Sequence, residues 1–354
     1  MKCCINCFND QELTGFFLSN STKIGTCDFC NSENVELLDP REFEEKFQQL
    51  IQIYELLDES EVEKENPDLL HRKIQLEWGI FNSSFDTKTH NNLLKAILKD
   101  QYEKENPIFT DPVERKSEFL NPNEAIELEQ EWEQFVNEIK LKNRYFLGKS
   151  IDLDLLKELF RFHEKIYRKG KPFYRGRISN HAGFSANDMG KPPAKLSTSG
   201  RANPVGIPYL YISTDLDTVL YESRATHLDF VSIAEFKLKD NLNVVRLRQI
   251  EKLSPFVYED WLKNYLKYQK YIKRLEIELS KPLRKHDQKL EYLPTQYLCE
   301  FVKFLGYDAI EYGSSLHEEG INLAVFDDEK LNINKVELHE VISVNLDTKI
   351  VKSN

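Results

Sequence analysis

Five of the six cysteines lie in the first thirty residues, and four of them constrain the chain more than any other feature. Cys4-x2-Cys7 and Cys27-x2-Cys30, separated by nineteen residues, have the paired-knuckle spacing of a tetrathiolate zinc site. Each pair sets two thiolates on one tight turn, and two such turns close a tetrahedron. Residues 1–38 are too few to bury a core of their own, so zinc bound there as a structural ion supplies most of the stability of such a ribbon. Disulfides are the alternative use of these thiols. MKCCINCFND has no apolar run after its lysine, so the expected compartment is the cytoplasm, where disulfides are rare. Cys3 is a spare thiol or a register alternative to Cys4, and Cys299, in Tyr297-Leu-Cys-Glu-Phe, reads as a core thiol. With two basic and five acidic residues the ribbon has the wrong sign for phosphate, and points instead to docking on protein.

The 354 residues leave room for further domains. Residues 39–150 read as helical: Phe43, Phe47, Leu50, Ile51, Tyr54 and Leu57 form one stripe. A second helix is expected near Asn91–Tyr102. A third starts at the cap Asn121-Pro122 and runs through Trp132 and Phe135, with Glu103–Asn123 as the intervening loop. Residues 151–354 mix both periodicities. Helices are expected at Leu153–Tyr167, in a long stretch opened by Ser254-Pro255 that carries Trp261, Tyr265, Tyr268 and Ile272, and at Pro294–Leu305, stopped by Gly306. The long one reads as an insertion or an assembly surface. Strands are expected at Val231–Leu238, Leu242–Leu247, Tyr307–Tyr312, Ile321–Phe326 and near the C-terminus. The class is α+β rather than a doubly wound sheet, with neither a Rossmann fingerprint nor a P-loop. No stretch approaches the roughly eighteen apolar residues of a membrane span. The net charge of −11 speaks against broad nucleic-acid binding.

Against that charge, residues 168–201 carry eight Lys or Arg (Arg168, Lys169, Lys171, Arg175, Arg177, Lys191, Lys195, Arg201) and one acid, Asp188. Clustered cations concentrate an anion and pair with its oxygens, and the Gly- and Pro-rich backbone lets a ligand come close. Tyr209-Leu-Tyr-Ile-Ser213 and an amphipathic segment with Glu222 follow. Basic loop, aromatic strand and carboxylate together suit a dinucleotide; a solvated loop of surface lysines is the alternative.

The order Tyr174-Arg175-Gly-Arg177, Gly200-Arg201-Ala-Asn203-Pro-Val-Gly206, Tyr209-Leu-Tyr211-Ile-Ser, Glu222, Pro294-Thr295-Gln296, Gly306 to Ser314-Ser315 and Asn322-Leu-Ala-Val-Phe resembles the RES domain, a family named for an arginine, a glutamate and a serine. The resemblance covers about residues 165–330. Where the family reads glycine-glycine-arginine-tryptophan-asparagine, this chain has Ser199-Gly200-Arg201-Ala202-Asn203, without the tryptophan. Ribbon, helices and RES domain in this order also resemble proteins whose N-terminal region is classed as HEPN-like; no chemistry is assigned to the helices.

The resemblance implies an ADP-ribosyltransferase-like fold and an enzyme that consumes NAD by hydrolysis or phosphorolysis, acting as a toxin or antiviral-defence effector. Breaking the ribose–nicotinamide bond builds positive charge on the sugar, which a fixed carboxylate favours in the transition state. Glu222 takes that role, its alternative being a surface ion pair. Arg175 holds a phosphate or the nicotinamide ribose, interchangeably with Arg177. Arg201, beside Asn203, grips the pyrophosphate or orders its loop, and Tyr211 offers a ring face to nicotinamide. Ser314 aligns with the family serine and has Ser315 as its neighbour. A serine-hydrolase reading fails, because Tyr-Gly-Ser-Ser-Leu lacks the elbow glycine and His181, His227 and His317 are isolated. Leu220, two residues before Glu222, favours water or phosphate over a macromolecular acceptor. Transfer of ADP-ribose to a macromolecule and a non-enzymatic nucleotide sensor are the rivals. The expected partners are an inhibitory protein or a second copy met through the N-terminal region.

Overall fold

The computed structural model describes residues 1–21, 23–57, 68–116, 122–148, 151–250, 254–257, 262–281 and 289–345. The expected cap Asn121 and Trp261 lie outside them. The chain divides into two compact units, Met1–Glu127 with Gln249–Tyr271, and Leu128–Arg248 with Ile272–Asn354.

In the first unit, α1 (Gln11–Asn20) starts where the Asp10 carboxylate accepts from the amides of Glu12 and Leu13. A two-stranded ribbon, β1 (Lys23–Gly25) with β2 (Val35–Leu37), follows. After α2 (Glu44–Ile51) come β3 (Tyr54–Leu56), β4 (Asp68–Leu69), α3 (Leu70–Trp78), α4 (Thr87–Ile97) and β5 (Pro112–Arg115). The expected stripe is buried at Phe43, Phe47, Leu50, Ile51 and Tyr54, but the helix ends at Ile51. Tyr54–Leu56 instead joins a three-stranded antiparallel sheet of order β3-β5-β4. These strands of two to four residues, set among the expected helices, are too short to carry a readable alternation. Phe256 packs on Phe47 at 5.2 Å, so part of the segment read as an insertion belongs to this core. Ser254-Pro255 opens a single 3-10 turn, Pro255–Val257, rather than the long helix.

The second unit holds most of α5 (Pro122–Leu141), then α6 (Leu153–Phe162), β6 (Glu164–Tyr167), β7 (Pro172–Ser179), β8 (Leu210–Ser213), α7 (Leu216–Ser223), β9 (Phe230–Leu238) and β10 (Leu242–Leu247). It closes with the end of α8 (Leu262–Ser280), α9 (Leu293–Phe304), β11 (Ala309–Gly313), β12 (Ile321–Val325) and β13 (Leu331–Glu340). α6 is one turn shorter than expected, because Glu164-Lys-Ile-Tyr167 pairs with β10. The eight strands form one mixed sheet, β13-β9-β7-β8-β12-β11-β10-β6, antiparallel except at β10–β11. The class is α+β, as expected. β7 and β8 meet only at Tyr174 and Ser213, so the sheet is nearly split there. One face of the sheet packs a core of Phe173, Leu210, Ile212, Ala234, Phe236, Leu323 and Val325. No helix among the described residues is long and apolar enough to cross a membrane.

Candidate active site

Register decides which side chains meet. Pairing sets Tyr312, Asn322, Ser213 and Tyr174 in one row across β11, β12, β8 and β7, and side chains in such a row share a face. α7 packs on that face. A Cβ added to Gly176 would stand 2.6 Å from Val219 Cγ1, so only glycine admits the helix this close. The Asp215 side chain caps α7 on the amide of Thr218, and Arg224 ends it at φ 52°.

Glu222, in the last turn of α7, is exposed. Its Oε1 accepts from Ser314 Oγ and from Asn322 Nδ2, each at 2.7 Å, and Oε2 receives no donor among the described residues. The Ser314 hydroxyl in turn accepts from the amides of Leu316 and His317, both at 3.1 Å. His317 Nδ1 lies 2.8 Å from Thr218 Oγ1 and its ring stacks on Tyr221 at 5.1 Å. The loop after β11 is thereby pinned along α7, and His317 is part of that clamp rather than an isolated residue.

A second knot surrounds Arg201. Asn203, 3% exposed, donates from Nδ2 to the carbonyls of Thr198, Pro204 and Ile207, each at 3.0 Å, and accepts from Tyr211 Oη at 2.7 Å. Tyr211 Oη also receives the amide of Ala202, and Gln296 Nε2 bonds the carbonyls of Gly200 and Asn203. A Cβ on Gly200 would fall 2.5 Å from Asn203 Oδ1, which accounts for the glycine. Asn203 and the Tyr211 hydroxyl therefore spend their polar atoms on shaping the loop. Arg201 itself donates to the carbonyl of Leu279 and lies 6.0 Å over the Tyr312 ring. Tyr312 joins the two knots. Burial holds its phenol well above the usual range, Tyr211 adds to the rise, Arg201 opposes it and Glu222 adds again.

The other expected cations go elsewhere. Arg175 and Arg177 alternate with Gly176, so they point away from α7. Arg175 donates to the carbonyl of Gly190 at 2.8 Å; Arg177 donates to that of Asp188 and sits 4.2 Å over Phe184. Burial, and then the neighbouring Arg177, lowers the Arg175 guanidinium to about 10. Lys191 is paired with Asp327 and Asp328, while Arg168 and Lys169 are exposed on a turn. Arg175, Arg177 and Lys191 thus engage the backbone at 188 and 190 and the acids at 327 and 328. A cavity of about 380 Å³ beside the start of α7, lined by Tyr174, Asp215, Glu235 and Lys335 among others, includes neither Arg175 nor Glu222. Sequence reasoning assigned no role to Asn322 or Tyr312. The available signal was a polar side chain inside an otherwise apolar buried strand.

In the first unit the thiols of Cys4, Cys7, Cys27 and Cys30 lie within 4.8 Å of one another. Sγ–Sγ separations of 4.0, 3.3 and 3.5 Å bracket the edge, about 3.8 Å, of a tetrahedron with 2.3 Å zinc–sulfur bonds. Cys3 is bridged to Leu38, with its thiol on that carbonyl at 3.6 Å, apart from the four.

Residues 172–345 match the model of the RES domain. No curated protein matches the chain. Among solved structures, the chain is similar to one in the crystal structure of the M. tuberculosis MbcT–MbcA toxin–antitoxin complex, at 14% identity and a TM-score of 0.32, over 53% of this chain and 93% of that one.

Proposed function

We propose that this chain, which carries a RES domain over residues 172–345, cleaves the bond between ribose and nicotinamide of NAD, with water or phosphate as acceptor. RES domains act on NAD. The observation that supports cleavage at the ribose is the Glu222 carboxylate, exposed at the end of α7 yet held through Oε1 by Ser314 and Asn322. A carboxylate fixed in advance stabilises a sugar cation without reorganising as the charge develops. The C1′–N bond breaks with its electron pair passing to the pyridinium nitrogen, so nicotinamide leaves neutral and no acid is needed. Oε2 of Glu222 accepts a ribose hydroxyl, and a phosphate oxygen, or a water oxygen that releases one proton to solvent, then bonds C1′. Arg201, over Tyr312 on the same face, offers its remaining donors to the pyrophosphate. Arg175 and Arg177 act at one remove, bracing residues 184–190 beside β7.

In a cell such an enzyme depletes NAD, the action of a toxin or defence effector held in check by an inhibitory protein. The proposed domains remain 1–38, 39–150 and 151–354, with structural zinc on Cys4, Cys7, Cys27 and Cys30. Incubating the protein with NAD, with and without phosphate, and separating the products tests the reading. Free nicotinamide should appear with ADP-ribose or its 1-phosphate, and Glu222→Gln should slow this by roughly 10²–10³-fold. Wild-type turnover in both Glu222→Gln and Ser314→Ala would sink it. Label carried from NAD onto a macromolecule would replace the acceptor named here.

A further inference from the structure

We infer that Asn322 and Ser213 are positioning residues for the Glu222 carboxylate, a two-step hydrogen-bond relay in which Ser213 anchors the Asn322 amide that holds Glu222. The inference rests on the reading of Glu222 given above.

Asn322 is 6% exposed and Ser213 is 4% exposed, directly opposite each other in the β12–β8 ladder. A carboxamide has a donor end and an acceptor end of nearly equal shape, so its orientation is settled by its partners. Here Ser213 Oγ donates to Asn322 Oδ1 at 2.6 Å, and Asn322 Nδ2 donates to Glu222 Oε1 at 2.7 Å. A flipped amide would bring its oxygen against the carboxylate, which only accepts, so Glu222 sets the orientation. The Ser213 hydroxyl, able to donate or accept, anchors the far end of the amide. Ser213 therefore acts on Glu222 without touching it.

Ser314 completes the grip. Its oxygen already accepts from the amides of Leu316 and His317, which directs its one proton to Glu222 Oε1. Two donors, one from strand β12 and one from the loop after β11, converge on one oxygen, and the other is left for the substrate's ribose. The last turn of α7 supplies no such restraint, since Arg224 has already left the helix.

A rival account makes Asn322 a purely structural polar link between β12 and β8. The two accounts differ on Asn322→Asp, which keeps the shape but replaces the donor with a second carboxylate. A packing role tolerates Asp better than Ala; a donor role ranks Asp below Ala. The experiment measures NAD turnover and thermal unfolding for Asn322→Ala, Asn322→Asp, Ser213→Ala and the Asn322→Ala/Ser213→Ala double variant, with crystal structures of Asn322→Ala and wild type. Asn322→Ala should lower kcat by roughly 10²-fold, the usual result of a reacting group displaced by about 1 Å, with KM nearly unchanged. Ser213→Ala should lose less, and nothing further once Asn322 is Ala. Glu222 should occupy one rotamer in wild type and more than one in Asn322→Ala. Activity of Asn322→Asp above Asn322→Ala, or additive losses at Ser213, overturns the relay while leaving the Glu222 reading intact. Wild type inert toward NAD removes that reading, and a single unchanged Glu222 rotamer in Asn322→Ala overturns the positioning claim with or without turnover.

Discussion

Gly176→Ala tests whether the closeness of α7 to the sheet is what places Glu222. The new Cβ would stand 2.6 Å from Val219 Cγ1, with the Val219 carbonyl at 3.7 Å. Carbon atoms rest about 3.5–4.0 Å apart, so one side must give by about 1 Å. Val219 is 4% exposed and β-branched in a helix, which leaves it few rotamers; the helix therefore moves. Overpacking of this kind costs about 1–3 kcal/mol, against about 0.5–1 kcal/mol gained from a stiffer unfolded chain. The net is about 1–2 kcal/mol of destabilisation, each kcal/mol appearing as about 2–4 °C in the unfolding midpoint for a unit of this size. Glu222 lies one turn after Val219, so a shift of about 1 Å stretches both 2.7 Å bonds on its Oε1 and should cost roughly 10²-fold in NAD turnover. Val219→Ala removes the obstructing methyl. Combined with Gly176→Ala it should recover most of the stability and activity, although Val219→Ala alone leaves a small cavity and is itself harmful. Thermal unfolding and product release for the four proteins of the cycle give the answer. Wild-type behaviour of Gly176→Ala, or a double variant no more active than Gly176→Ala, would refute the reasoning.

Three further outcomes are expected. Metal analysis should find one zinc per chain, lost in Cys4→Ser and Cys27→Ser but kept in Cys3→Ser, with the first unit unfolding at lower temperature once a chelator strips the metal. In the same unit Lys73 Nζ sits 2.7 Å from both oxygens of Glu114, largely buried. Lys73→Met should cost about 3–5 kcal/mol in denaturant unfolding, and Lys73→Met/Glu114→Leu far less, because the first leaves a buried charge unpaired and the second removes it. Burial lowers His71 from 6.5 to about 4, and its Nδ1 has no hydrogen-bond partner among the described residues. A histidine with a depressed folded pKa stays neutral in the folded protein while the unfolded chain takes up a proton. Stability should therefore fall as pH drops from about 6.5 to 4 and level off below, with a shallower fall in His71→Leu by urea unfolding at stepped pH.

The four-cysteine cluster and the α+β class were readable from the chain alone, because each is carried by spacing along the sequence. Cys4, Cys7, Cys27 and Cys30 needed only two short turns to converge, and β9, β10, β11 and β12 announce themselves through apolar runs bounded by turns. The three-stranded sheet around β5 was illegible, since strands of two to four residues have no period to detect. Which cation meets which carboxylate was decided by tertiary structure. Arg175 and Glu222 follow each other in the family order, yet side chains alternate along a strand, and a glycine wedged against Val219 assigns α7 to the face that Arg175 does not occupy. Likewise Asn322 stands out in sequence only as a polar residue in an apolar strand, with no partner indicated. It becomes a partner of Glu222 only because the β8–β12–β11 register sets it in one row with Ser213 and Tyr312, under the end of a helix a hundred residues earlier in the chain. Spacing along the chain specifies local turns; only strand pairing, through its two-residue alternation, specifies the face on which a distant side chain arrives.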